Sequence, residues 1–192
     1  MKYLLTTIIS LLFLMPLQAK GPAGTVLYFR NAQSVYILLA DDINSNRGWS
    51  SFGGGAEEGE SEMETAARET EEETRGFFIK EWLLQKMHGQ KPIKFKGFSM
   101  YFVEVPFVPA QQIMNTPLKK NASESMRERV HYAWIPETDL KRALTVTNAK
   151  IDSVYLPTTS KSKLYWNIWL AGMENAYKKN ACPWLKPKKA NK

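Results

Sequence analysis

Apolar runs alternate with polar, turn-rich stretches along most of the chain, and their spacing predicts the elements. Residues 25–29 and 34–40 are short runs of β-branched, aromatic and aliphatic residues separated by Asn31, Ala32 and Gln33. They predict two strands joined by a tight turn. Residues 77–84, 98–105 and 130–135 are further strand candidates, the second ended by Pro106 and Pro109. Helical spacing marks residues 61–74, a short stretch at 139–144, and residues 163–177, where Leu164, Ile168, Ala171 and Met173 accompany Trp166 and Trp169. Residues 41–48 read as a loop. Residues 178–192 hold six lysines and no acid, so residues 179–192 are drawn as a solvated basic tail. Strands on either side of a central helix predict one mixed α/β domain over residues 24–178.

The start of the chain differs in texture. Lys2 precedes an apolar run from Leu4 to Leu14 broken only by Thr6, Thr7 and Ser10; Pro16 interrupts it, and Ala19 is a small residue at the exit. That is the pattern of a secretory signal. The run is shorter than the roughly 20 apolar residues a bilayer crossing takes. Residues 1–19 are therefore expected to be a signal peptide, the protein to be periplasmic or secreted, and no membrane attachment to remain after cleavage.

Composition narrows the picture further. A chain of 192 residues with 44% hydrophobic and 12% aromatic content can build one domain with a real core and is not disordered throughout. Its single cysteine, Cys182, excludes an internal disulfide framework and a zinc site of cysteine pairs. The net charge of +7 is a sum of unlike parts. Residues 54–76 hold nine acids and two arginines, a net of −7, so the rest of the chain carries +14.

That acidic segment carries the candidate chemistry. Gly53, Gly54 and Gly55 let the chain turn sharply and let a ligand approach the backbone. Ser61 and Glu64 have capping-box spacing, and Met63, Ala66, Ala67, Thr70 and Thr74 form a small-residue stripe suited to lying close against a sheet. Gly76 supplies a helix stop. Glu69, Glu72 and Glu73 fall at i, i+3 and i+4 on one face, a like-charge crowding that destabilises a bare helix. A hard divalent cation offsets such crowding, because Mg²⁺ prefers carboxylate oxygen and completes its shell with water and phosphate. Arg68 beside the cluster is placed to hold a carboxylate by a paired contact.

This segment resembles the Nudix box, Gly-x5-Glu-x7-Arg-Glu-U-x-Glu-Glu-x-Gly-U, where U is bulky and apolar. Gly54, Glu60, Arg68, Glu69, Glu72 and Glu73 match at the required spacing, a coincidence on the order of 10⁻⁷ by chance. Thr70 stands at the first U position, and Arg75 stands where the closing glycine belongs, with Gly76 one residue late. The resemblance implies an α/β/α sandwich with a mixed sheet, the box forming a loop, a helix and a loop. It implies Mg²⁺-dependent (or Mn²⁺-dependent) hydrolysis of a pyrophosphate bond in a small nucleoside diphosphate derivative, with no stable nucleic-acid partner.

The same resemblance assigns roles. Glu72 and Glu73 would bind the metal, Glu69 would bind metal or act as base, Arg68 would orient its neighbours, and the Gly53 carbonyl would complete the shell. Gly54, Gly55, Trp49 and Phe52 are substrate-binding candidates, Glu60 and Gly76 structural members of the box, and Glu128 a candidate distal base. Tyr101 and Trp134 are further stacking candidates; Lys94, Lys96, Arg127 and Arg129 are either phosphate contacts or solvated charge. His88 and His131 lack metal-ligand partners at useful spacing. A Nudix-like module that binds nucleotide or RNA with little turnover is the alternative, and substrate and oligomeric state stay open.

Overall fold

The computed structural model describes residues 21–42, 47–118 and 120–185. The expected signal segment, residues 43–46 of the 41–48 loop and the last seven residues lie outside the described residues. The strands are β1 (Ala23–Arg30), β2 (Val35–Asp42), β3 (Phe52–Gly54), β4 (Ile93–Phe95), β5 (Phe98–Glu104) and β6 (Arg129–Pro136). The helices are α1 (Glu62–Glu73), α2 (Lys80–Met87), α3 (Ala110–Met114), α4 (Ser125–Glu128), α5 (Glu137–Ala143) and α6 (Asn167–Lys178).

One mixed sheet is built around β1. At the β1–β2 turn the Asn31 side-chain oxygen accepts from the amides of Gln33 and Ser34. The hairpin register runs only over Tyr28, Phe29 and Arg30 of β1. β2 then pairs with β6 from Tyr36 to Asp42. β3 takes the vacated edge of β1, antiparallel, with Ala23 opposite Gly54 and Thr25 opposite Phe52. On its other edge β1 runs parallel to β5, which β4 extends. That parallel pair is the one that needs a long crossover, and α1 and α2 lie within it. The sharing of one β1 edge by two strands brings the glycine run to the head of the central strand.

Alternation along the strands sends side chains to two faces, each buried. Val26, Tyr28, Ile37, Leu39, Met100, Phe102 and Ile135 join a cluster with Leu140 of α5 and Trp169, Leu170 and Met173 of α6. Leu27, Leu38, Ala40, Tyr101, Val103 and Tyr132 join the opposite cluster with Ala66 and Ala67 of α1, Leu83 and Met87 of α2 and Ile113 of α3. With both faces covered, the strands read as nearly continuous apolar runs. The architecture is the expected α/β/α sandwich.

Three expectations change. Residues 77–84 are not a strand: Phe77 and Phe78 belong to a turn and α2 follows from Lys80. Leu83 and Met87, four apart, are fully buried on one helical face, so packing overrides the strand preference of a Phe-Phe-Ile run. β2 also extends into the predicted loop, with Asp41 opposite His131. The start of the basic tail does not stay in solvent. Cys182 is fully buried, and Trp184 packs edge-on against Tyr28 at 4.9 Å and Phe102 at 5.4 Å.

Candidate active site

α1 begins as its residues predict. The Ser61 hydroxyl accepts from the Glu64 amide at 3.3 Å, and the Glu64 carboxylate accepts from the Ser61 amide at 2.8 Å, a complete capping box. Thr65, Ala66, Ala67 and Thr70 are fully buried, so α1 lies tight against the sheet and turns its glutamates to the rim.

Arg68 organises that rim. Its Nε donates to Glu60 Oε1 at 2.9 Å and its Nη2 to Glu60 Oε2 at 3.1 Å, the two-point contact a guanidinium fork permits. Nη1 donates to Glu69 Oε1 at 2.9 Å and Glu72 Oε2 at 3.3 Å, and Nη2 to the Gly55 carbonyl at 2.7 Å. One side chain thus ties the glycine loop to two glutamates of the helix face. Burial alone would raise the Glu60 carboxyl, but hydrogen bonds from Arg68, the Glu57 amide and the Thr65 hydroxyl outweigh it and hold the group at about 2.

Glu73 faces inward. It is 4% exposed; its Oε1 accepts from Arg129 Nε at 2.8 Å and its Oε2 from the Gly53 amide at 2.8 Å. Burial pushes this carboxyl up, to about 7, against the lowering influence of Arg129 and the Gly53 amide. Burial also raises Glu69, with Arg68 pulling it down and Glu72 and Glu128 pushing it up. Glu128, the last residue of α4, therefore faces the same field as the box glutamates.

These groups open on a cleft of about 750 Å³, lined by the Gly53–Gly54–Gly55 run, Phe52, Arg68, Glu69, Glu72, Glu73, Glu128 and Arg129. Among the described residues no three acidic, histidine or cysteine side chains stand close enough together to hold an ion as placed. The reason is visible: Arg68 sits against Glu69 and Glu72, while Glu73 is turned onto Arg129. The donor set is nonetheless all carboxylate oxygen, with Glu73 buried and Glu69, Glu72 and Glu128 partly so, which is the chemistry that suits a hard divalent cation.

A family profile of the NUDIX domain matches residues 20–155. The chain belongs to the Nudix family. It is a Nudix pyrophosphohydrolase in class. Two solved structures of C. elegans Ap4A hydrolase are similar to it at 20% identity and a TM-score of 0.38. One, a binary complex, matches over 59% of this chain and 77% of its own; the other matches over 67% and 86%. No curated protein matches the chain.

Both departures from the Nudix box have local explanations. Thr70, in place of a bulky apolar residue, shares a 2.8 Å hydrogen bond with Thr25 of β1 and donates to the Ala66 carbonyl. Arg75 adopts φ of 60° where the box has glycine, and Gly76 follows at φ of 76°. The Gly76 amide reaches the Glu71 carbonyl at 2.7 Å and the Arg75 amide the Glu72 carbonyl at 2.9 Å. That is a Schellman ending with arginine at the position glycine favours.

Not every predicted residue reaches the cleft. Trp49 is fully buried, with Nε1 donating to the Ser162 carbonyl at 2.8 Å, so it serves the core and does not stack on substrate. Glu60 lies behind Arg68, and Gly76 belongs to the helix exit. Tyr101 is buried in the core beneath α1 with Ala66 and Ala67, and Trp134 donates to the Val108 carbonyl. Lys94 pairs with Glu62, and His131 lies between Asp41 and Thr159. Lys96 and Arg129 do line the cleft. Arg129 is no solvated charge but a buried partner of Glu73, and an arginine opening an apolar strand was the available signal. Phe98, Trp166 and Trp169 line it as well, brought in from segments that read only as core.

Proposed function

We propose that this Nudix protein is an exported, Mg²⁺-dependent hydrolase of the pyrophosphate bond in a nucleoside diphosphate joined to another group, with Mn²⁺ able to serve. The observation that carries the reading is the convergence of Glu69, Glu72, Glu73 and Glu128 on one cleft beside the glycine run. Glu69, Glu72 and Glu128 would hold the ion, with Glu73 behind them as the least accessible donor. When bound, such an ion neutralises phosphate charge and lowers the pKa of a coordinated water.

The protein's own groups do the rest. Glu69 or Glu128 takes the proton from the attacking water; the raised carboxyl of Glu69 suits that task. Arg68 fixes Glu69 through the 2.9 Å contact. The backbone at Gly55 has open space around its Cα, so phosphate can approach it closely. Export rests on the Lys2, Leu4–Leu14 and Ala19 pattern, and a mature chain beginning at Lys20 is the corresponding expectation.

The test is turnover of a panel (ADP-ribose, dinucleoside polyphosphates, NADH, nucleoside triphosphates and capped RNA) with Mg²⁺ and with a chelator. Phosphate-bearing products should require the ion, and Glu72→Gln should lower kcat by at least about 100-fold, the scale of losing one charge-stabilising group. Binding without turnover across the panel, with Glu72→Gln indistinguishable from the parent, would overturn the enzyme reading in favour of a binding module.

A further inference from the structure

Glu128 comes to the cleft on a segment with little grip on the core. Among the described residues of 115–128 none is buried, and a stretch without buried side chains owes its position to its ends. Both ends are fastened at the exit of α1. At the start Arg75 Nε donates to the Thr116 carbonyl at 3.2 Å; at the finish Arg129 Nε donates to Glu73 Oε1 at 2.8 Å. Resting on the hydrolase reading above, we propose that Arg75 and Arg129 are positioning residues: they pin the two ends of this segment to the helix that carries Glu69 and Glu72, and so set where Glu128 stands in the reaction.

The finishing anchor is aimed by an irregularity in β6. Asp41 of β2 stands opposite His131, but the next residue, Asp42, stands opposite Arg129. Two residues of β6 thus span one of β2, a β-bulge, which re-aims the side chains beyond it. Alternation along a regular strand would turn Arg129 the same way as Ala133 and Ile135, into the core beneath α5 and α6. The bulge turns it instead to the face of Tyr132, beneath α1, where Glu73 lies. The Tyr132 hydroxyl closes the same joint by donating to the Glu73 carbonyl at 2.6 Å. Glu128 immediately precedes Arg129 and inherits its placement.

The starting anchor is the residue by which this chain departs from the box. Arg75 holds φ of 60° where glycine would rest without strain, and its side chain leads to Thr116. Its charge also reaches the Tyr132 hydroxyl, which burial raises and Arg75 lowers, so the two anchors adjoin. One helix therefore carries two of the box glutamates and both fastenings of the segment that brings the distal one. Ser123, Ser125 and Glu128 of that segment all line the cleft, and the Glu128 charge is felt at Glu69.

The experiment uses Arg75→Gly in the full-length protein, which removes the anchor while relieving the left-handed backbone, so position and stability part company. Its Tm should stay within about 2 °C of the parent. With Mg²⁺ and the panel substrate that the parent turns over fastest, kcat should fall at least about tenfold and KM change by less than about twofold, since a shift of about 1 Å in a reacting group can cost 100-fold. Arg75→Lys, which keeps a donor, should restore most of the rate. In a Glu128→Gln background, itself slowed, Arg75→Gly should change kcat by less than about twofold, because residues that act through one another are not additive.

A second readout needs neither metal nor turnover. Trypsin should nick the cation-free protein at the exposed Lys120 and Arg127 at least about threefold faster in Arg75→Gly than in the parent or Arg75→Lys, the scale of one lost hydrogen bond. A folded Arg75→Gly with the parent's kcat, a loss that persists in full beside Glu128→Gln, or a Glu128→Gln as fast as the parent overturns the proposal and leaves the hydrolase reading standing. If no substrate is turned over, the hydrolase reading falls by itself; faster nicking in Arg75→Gly then upholds the anchoring of the segment, and unchanged nicking overturns it.

Discussion

Arg129 donates from Nε to Glu73 Oε1 at 2.8 Å and holds Nη2 2.7 Å from the same oxygen as an ion pair, joining the end of α1 to the start of β6. Both side chains are buried, Arg129 9% and Glu73 4% exposed. Removing one partner of such a pair leaves an unmatched buried charge. Arg129→Met should cost about 3–5 kcal/mol, lowering Tm by about 10 °C for a domain of this size. Combining it with Glu73→Gln should recover most of that loss. A double variant no more stable than the single one in urea titrations would remove the pair from the list of structural ties.

Glu60 predicts an acid response. Its carboxyl lies near 2 in the folded protein against an ordinary 4.5. A depressed folded pKa contributes stability above the unfolded value and loses it as pH falls toward the folded one. The full contribution is about 3 kcal/mol, of which about 2 should disappear between pH 6 and pH 3. Urea midpoints of the parent should fall more steeply over that range than those of Glu60→Gln; parallel pH profiles would contradict the assignment.

The glycine run separates fold from chemistry. A Cβ at Gly54 would come within about 2.5 Å of the Glu69 carboxylate, the far end of a movable side chain. Gly54→Ala should therefore leave Tm within about 2 °C yet displace Glu69 and lower kcat by about 100-fold. At Gly24 the added Cβ would meet the Phe52 carbonyl of the neighbouring strand at 2.0 Å. There the backbone must move, and Gly24→Ala should unfold the protein at a markedly lower temperature. Paired melting curves and rates distinguish the two; an active Gly54→Ala would mean that Glu69 is free to work from another position.

Arg75 sits in a left-handed conformation that costs a residue with a Cβ about 1 kcal/mol relative to glycine. Its Nε also donates to the Thr116 carbonyl at 3.2 Å. Arg75→Ala loses that bond and keeps the strain, whereas Arg75→Gly loses the bond and relieves it. Glycine should accordingly be the more stable of the two by about 1 kcal/mol in equilibrium unfolding. Equal stabilities would place the strain elsewhere in the turn.

Local signals in the sequence translated well into structure. The capping box at Ser61 and Glu64, the small-residue stripe and the glutamate face all depend on neighbours within one or two helical turns. β1, β2, β5 and β6 were legible because each is a short apolar run bounded by turn residues. The failures are all non-local. Phe77 and Phe78 look like strand residues until Leu83 and Met87 find their core. Trp49 looks like a stacking platform until its indole meets Ser162, 113 residues away. Arg129 reads as surface charge because its partner lies on another element. The aromatic end of the cleft, drawn from β4, β5 and α6, has no motif at all.

Trp184 is among the last described residues, and it rests on Tyr28 of the central strand and on Phe102 of β5. One face of the core is thus roofed by a segment that follows every strand of the sheet in chain order and is synthesised only after them. A nascent chain lacking it would hold an assembled sheet with an unsealed seam, open to chaperones and proteases until that segment has emerged and packed. Arrest or truncation just before Cys182 should leave the domain protease-sensitive, although every residue of the acidic helix would already be in place.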